Sequence, residues 1–484
     1  MKQLIFTLFF TVTLFCVSCG GKDNVPDEPD SKTQRKDFND GYYLGEFNDK
    51  GEPHGNGTYY WNNGNQYTGQ WENGQRSGNG TFTFKDGTTF TCVWKDDKPT
   101  DEKCSLLLYL KDWYYWNKET GKIDVNQYAS AEAMLDKLKN PDDNLSKIIQ
   151  LDVTSNDLLF DEGKELGYGL EVRWDVYDDL RVAYVYEGSP AGLAGIKRGW
   201  KVLKINAADV NTLSTINLSA SKEGESIAFN LEDEKGASKT ITLVSKIFDT
   251  QSVLYQNTYQ LPAKKAGYLV LKSFAQQHAN EITQSINALI AAGIQELILD
   301  LRYCSLGSCE TLTGFAGIIL PSAANNKTFL TRKYNADHAA NDSVYTVKKS
   351  GSLNLNRILV LTTSSTAGLS ELLLLGLAPY TEIIQIGDKT GGVDYYGTSA
   401  WTLNEKKKLA LVTSDFQNAS DKTVTGARIS DYSTFDGVDK GWGDENEELL
   451  KNALYYSVYN YFPVSRNAVG KLVSQNNKNK IINR

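Results

Sequence analysis

The spacing of apolar residues changes several times along the chain, and each change predicts a different kind of element. Behind Lys2, residues 4–17 form one apolar-leaning run of 14 residues, and polar residues take over at Lys22-Asp23-Asn24. A basic start, a short apolar core and a small-residue exit make an export signal over residues 1–18, and the run is shorter than the about 20 residues a spanning helix needs. Residues 19–40 carry few apolar side chains and predict a disordered tether. From 105 to 150, Leu106, Leu107, Leu110, Trp113 and Trp116 recur at helical spacing, so a mostly helical adaptor is expected, broken by the turn Asn140-Pro141-Asp142-Asp143. Residues 160–246 are strand-rich: Val182 to Tyr186 and Val202 to Ile205 flank the turn and short helix that open at Gly188-Ser189-Pro190-Ala191.

Residues 260–462 alternate between two periods. Strands are predicted at 267–271, 296–302, 358–362 and 382–387, and helices at 279–291 and 366–377. That alternation argues for an α/β core with substantial parallel pairing. Residues 463–484 form a polar tail. The whole chain is therefore read as multidomain α+β.

One segment repeats. Gly55-Asn56-Gly57 returns 23 residues later as Gly78-Asn79-Gly80, with Gly64 returning as Gly87, Tyr67 as Phe90 and Trp71 as Trp94. Tyr43, Gly45 and Phe47 supply a partial earlier copy. A fixed short period marks stacked units, and glycines with aromatics at set offsets suit tight hairpins around a narrow core. The run Tyr67-Thr68-Gly69-Gln70-Trp71-Glu72-Asn73-Gly74 resembles the MORN repeat, which implies two to three MORN hairpins over residues 41–98.

Composition narrows the function. The 484 residues suggest about three domains of roughly 150 residues each. Loss of the leader with Lys2 takes the formal charge from −8 to −9, and no basic cluster offsets it, so nucleic acid is not an expected partner. Cys16-Val17-Ser18-Cys19 resembles a bacterial lipoprotein cleavage box, which implies Cys19 as the lipidated first residue and an exported, envelope-anchored chain. The other cysteines, Cys92, Cys104, Cys304 and Cys309, lack zinc-type spacing and the three histidines lie far apart, so neither a metal nor a cofactor is expected. Pairs Cys92–Cys104 and Cys304–Cys309 are both open as disulfides.

The order strand, Ser189-Pro190-Ala191, short helix, Gly199-Trp200, strand resembles a PDZ domain. The resemblance implies that Gly167, Tyr168, Gly169 and Leu170 form a carboxylate-binding loop, with the strand beyond taking a peptide as an extra strand. This unit precedes Leu299-Asp300-Leu301-Arg302-Tyr303, a Ser/Ala-rich turn ending Ser370-Glu371-Leu372, and Ile386-Gly387-Asp388-Lys389-Thr390. From about residue 105 to 460 the chain thus resembles the carboxyl-terminal-processing (tail-specific) serine peptidases. That family carries a nucleophilic serine three positions before the Glu and a lysine base 25 residues after the serine. A serine hydroxyl needs such a base, and a lysine serves only when burial lowers its pKa.

On this register the nucleophile position is Gly368 and the base position is Val393. Neither residue can do the chemistry. A third departure follows Tyr303: the family continues Asn-x-Gly-Gly, whereas this chain has Cys304-Ser305-Leu306-Gly307, an expected rebuilt loop for which a Cys304–Cys309 closure is open. Nearby residues offer candidate substitutes. Ser364 and Lys389 are also 25 residues apart, but they lie off the helix start and beside Gly387; Ser370 lies two residues into the helix, pointing elsewhere. Loss of one member of such a catalytic unit costs about a millionfold in other serine peptidases. The expectation is an inactive homologue that binds peptides or protein C-termini. The alternatives are an active serine endopeptidase cleaving C-terminal regions and an envelope scaffold.

Overall fold

The computed structural model describes residues 33–151, 162–392, 396–423 and 426–463, and the backbone of 481–483. The leader, Cys19 and Val393 lie outside the described residues. The chain divides into two compact units, one formed mainly by the first 101 residues and the other by nearly all that follows.

The first unit is a single seven-stranded antiparallel meander, each strand pairing with the next. Its repeat is physical as well as textual. Trp71 Nε1 donates to the Gly57 carbonyl at 3.2 Å, and Trp94 Nε1 donates to the Gly80 carbonyl at 3.3 Å. Tyr43 and Tyr67 likewise donate to the carbonyls of Glu46 and Gln70, both at 3.1 Å. The sheet begins earlier than expected. Gln34–Phe38, assigned to the tether, is an edge strand paired with Gly41–Phe47. All five of its side chains are exposed, so hydrophobic periodicity is silent there; backbone pairing and the Phe38 ring 5.6 Å from that of Tyr59 hold it.

The second unit opens with the helix Glu102–Asp112, buried through Leu106, Leu107 and Leu110. A second helix, Ala131–Leu138, is capped by the Ser130 side chain. The adaptor ends as a strand, Lys147–Gln150, which pairs with Lys407–Asn418. Next comes an antiparallel sheet of Leu170–Trp174, Leu180–Val185, Lys201–Ile205, Ser226–Glu232 and Ser238–Val244 in that order. The short helix Pro190–Leu193 has Ser189 as its N-cap and Pro at its start, as the Ser-Pro-Ala run predicts. The tail residues Ile481–Asn483 pair in parallel with Thr215–Asn217.

The core is a sheet ordered Val253–Gln260, Lys265–Leu271, Glu296–Asp300, Arg357–Thr362, Glu382–Gly387 and Tyr432–Ser433, parallel except for its first strand. Both faces are covered, which is why its middle strands read as continuous apolar runs rather than alternating ones. Helix Ala279–Ala291 buries Ile282, Ile286 and Leu289 at the spacing the sequence shows. Helix Leu369–Leu377 starts three residues later than its apolar period suggests, because Thr363–Thr366 close a turn, the Thr366 N–H donating to the Thr363 carbonyl at 2.9 Å, and Gly368 is not helical. That turn is where the site lies.

Candidate functional site

Strand Arg357–Thr362 ends in the turn that feeds helix Leu369–Leu377, and Gly368 is the residue just before the helix. Its backbone has φ 55° and ψ −123°, a conformation costly for any residue with a Cβ. A sharp strand-to-helix turn of this kind presents a nucleophile in serine hydrolases. In this chain the residue in that turn is glycine.

The turn is braced from below. Thr366 Oγ1 donates to the Leu301 carbonyl at 2.8 Å and accepts from the Thr363 N–H at 3.0 Å. The Gly391-Gly392 step, which leads to the base position, lies against it. The Gly391 N–H donates to the Thr366 carbonyl at 2.8 Å, and the Gly392 N–H donates to Glu371 Oε1 at 3.1 Å. Position 393 itself lies outside the described residues.

The loop after Tyr303 closes over the turn. The Cys304 carbonyl accepts from the Ala367 N–H at 3.2 Å and from Ser370 Oγ at 2.9 Å. The Ser305 carbonyl accepts from the Leu369 N–H at 3.0 Å. A Cβ on residue 368 would stand 2.6 Å from that same oxygen. Leu306 and Gly307 pair in parallel with Ser273 and Phe274. Leu306 is not among the residues with positive φ, so the loop is rebuilt rather than strained at that position.

Ser370 is fully buried with its hydroxyl donated to Cys304, whereas Ser364 and Lys389 are exposed. The Cys304–Cys309 pair, open as a disulfide from sequence, is not bridged, and both thiols are free. The Cys304 thiol meets Ser370 and the Cys309 thiol meets Tyr345, so the two side chains have separate partners. Burial pushes each thiol up to about 11. Cys92 and Cys104 are each disulfide-bonded. A chain beginning at Gly20 should therefore resist iodoacetamide at pH 7 while folded, since only on the order of one thiol in 10⁴ is ionised. Denaturation without reductant should then admit two adducts, counted by intact mass. Rapid labelling of the folded chain, or none after denaturation, would contradict this arrangement.

Around the candidate peptide loop, Gly169 has φ +75° and its carbonyl accepts from the Tyr186 N–H at 3.0 Å. The following strand, Leu170–Trp174, is at the edge of its sheet and pairs with Leu180–Val185. From that strand Arg173 reaches the elbow turn, donating to Ser365 Oγ at 2.7 Å.

A buried charge cluster beside the site is absent from the sequence-level candidates. Arg302 is 1% exposed and donates to Asp300 Oδ2 at 2.6 Å, Asp436 Oδ1 at 2.8 Å and Glu447 Oε1 at 2.7 Å. Arg198 joins it from the turn before strand Lys201–Ile205, donating to Asp436 Oδ1 at 3.1 Å and to the Tyr303 hydroxyl at 3.0 Å. Three carboxylates share two guanidinium groups. Burial would raise the Asp436 carboxyl, but Arg302 and Arg198 hold it below its usual range. For Glu447 burial outweighs the same two charges, and its carboxyl is raised. The only local signal for this cluster is a buried strand, Glu296 to Asp300, that ends in charge.

Comparison with known proteins places these elements. Residues 265–431 match the model of peptidase family S41, residues 105–147 match the peptidase S41 N-terminal domain, and 43–66 and 67–89 match the MORN repeat. A carboxyl-terminal-processing protease from Synechocystis is 24% identical over 270 residues, covering 55% of this chain and 61% of that protein. The chloroplastic carboxyl-terminal-processing peptidase 1 of Arabidopsis thaliana is 23% identical over 342 residues, 68% of this chain and 65% of that one. The chain thus spans less than two thirds of the length of the curated relatives it matches. In fold, a crystal structure described as an S41 protease from Bacteroides fragilis has a TM-score of 0.59 at 21% identity, covering 73% of this chain and 96% of that one.

Proposed function

Starting from a chain that belongs to the tail-specific, carboxyl-terminal-processing proteases of family S41 and carries MORN repeats, we propose that it is a catalytically inert member that binds extended polypeptide. The observation that carries this is the elbow at residue 368: its backbone holds the nucleophile geometry, and the residue in it is glycine. Glycine has no group to attack a carbonyl, and the base position, Val393, has no proton to exchange. Neither Ser364 nor Ser370 replaces the nucleophile.

Binding is assigned to the edge strand Leu170–Trp174 and the loop before it. The Ser189-capped helix and the antiparallel strand order support a PDZ-type reading of 160–246, and an edge strand is what strand addition needs. The ligand class follows: peptides or protein C-termini. The leader and Cys19 support export and a lipid anchor, and among the described residues no helix is long and apolar enough to cross a membrane.

The test pairs binding with turnover. Fluorescein-labelled tail peptides should change anisotropy on adding the protein, while mass spectrometry finds the same peptides uncut after prolonged incubation. A fluorophosphonate probe should leave the chain unlabelled. Labelling that disappears in Ser364→Ala or Ser370→Ala would overturn the inert reading, and absence of binding by every peptide tried would overturn the binding role.

A further inference from the structure

We propose that Cys304–Gly307 is a built-in plug of the acyl pocket, in which the Ser305 carbonyl stands where a substrate's reacting carbonyl would be held. The proposal rests on the inert reading above and adds a second obstacle besides the missing chemistry.

The N-terminal N–H groups of a helix have no partner within it, and in acyl-transfer sites such donors stabilise the developing oxyanion. In helix Leu369–Leu377 the N–H groups of Ser370 and Glu371 are satisfied at once by the carbonyls of Ala367 and Gly368, at 3.2 and 3.1 Å. The Leu369 N–H is the donor left over, directly after the nucleophile position. Its acceptor is the Ser305 carbonyl at 3.0 Å. An acceptor from the chain itself thus occupies the place a substrate carbonyl needs.

The plug is held on both sides. Upstream, the Cys304 carbonyl takes the Ala367 N–H and the Ser370 hydroxyl. Downstream, Leu306 and Gly307 pair with Ser273 and Phe274, and Ser308 caps the next helix through the Thr311 N–H at 3.1 Å. Gly368 and the plug require each other. A Cβ at 368 would be 2.6 Å from the Ser305 oxygen, a backbone atom that moves only if the whole loop moves. Restoring a serine at 368 therefore collides with the plug before it restores any chemistry.

Hydrogen exchange on the full chain, resolved to single amides, tests this without reference to activity. Leu369 should exchange at least about 100-fold slower than an unstructured amide, because Ser305 is its acceptor. In Gly368→Ala that protection should fall at least about tenfold while the amides of residues 373–377 stay protected. Exchange of Leu369 near the unstructured rate in the native chain would overturn the plug.

A second arm uses fluorophosphonate labelling. The revertant Gly368→Ser/Val393→Lys should remain unlabelled, and adding Cys304→Asn/Leu306→Gly should bring labelling at least about tenfold above background. Labelling of the two-residue revertant, or none of the four-residue variant, would overturn the plug as the remaining obstacle. Peptide cleavage by the native chain would instead end the inert reading, and the Leu369 exchange rate would still judge the plug separately.

Discussion

Replacing Arg302 by Met is expected to destabilise the second unit by about 3–5 kcal/mol, because it leaves buried carboxylates without their main partner. Asp300 and Glu447 are within 2.7 Å of Arg302, and Asp436 is within 2.8 Å. Without Arg302, Arg198 alone faces three carboxylates, and in the structure it reaches Asp436 at 3.1 Å and Glu447 at 4.0 Å. The deficit should depend on pH in a defined direction. Carboxyls left unpaired in a buried site have folded pKa values above their unfolded values of about 4. A group raised in this way contributes its stability fully below the unfolded pKa and loses it as pH rises through the folded value. The variant should therefore recover relative to the parent as the pH falls from 7 toward 4.5. Urea unfolding at several pH values measures both effects. A loss below about 1 kcal/mol, or one indifferent to pH, would mean that solvent reaches the cluster.

Gly80→Ala is expected to cost the repeat unit about 3 kcal/mol, the upper part of the range for overpacking a closed core. The new Cβ would lie 2.1 Å from the Tyr67 hydroxyl oxygen and 2.3 Å from its Cζ. The ring has nowhere to go. Tyr67 is fully buried, its ring centroid is 5.3 Å from that of Trp71 and 5.1 Å from that of Trp94, and its hydroxyl is donated to Gln70. Gly57 under Tyr43 is the same arrangement one repeat earlier, with a Cβ 2.2 Å from the hydroxyl oxygen. Denaturant unfolding followed by tryptophan fluorescence reads the change. The double variant Gly80→Ala/Tyr67→Leu should lose at least about 1 kcal/mol less than the two single changes added together. Strict additivity would show that the ring does not rest on Gly80.

Much of the scaffold is legible along the chain. Helix Ala279–Ala291 is predicted to its ends, because Ile282, Ile286 and Leu289, the residues it buries, recur at helical spacing. The repeat is legible because the same Trp–Gly and Tyr–Gly contacts recur at nearly constant spacing. Counting back three residues from Glu371 reaches Gly368, which stands just before helix Leu369–Leu377 with φ 55°. Other elements leave no local trace. Gln34–Phe38 and Lys147–Gln150 are strands made by pairing rather than by periodicity. The apolar run from 366 to 377 blurs the turn at its start. Asp436 and Glu447 stand 134 and 145 residues beyond Arg302, and nothing near them in sequence marks them as its partners.

That residue 368 is glycine is therefore a fact of sequence, and needs no fold to be read. What the fold decides is what fills the space. The Ser305 carbonyl and the Leu369 N–H are backbone groups that every residue carries, so no choice of letter announces them. Only the closure of one loop over one helix start turns them into donor and acceptor, and makes the absence of a Cβ at 368 a packing requirement.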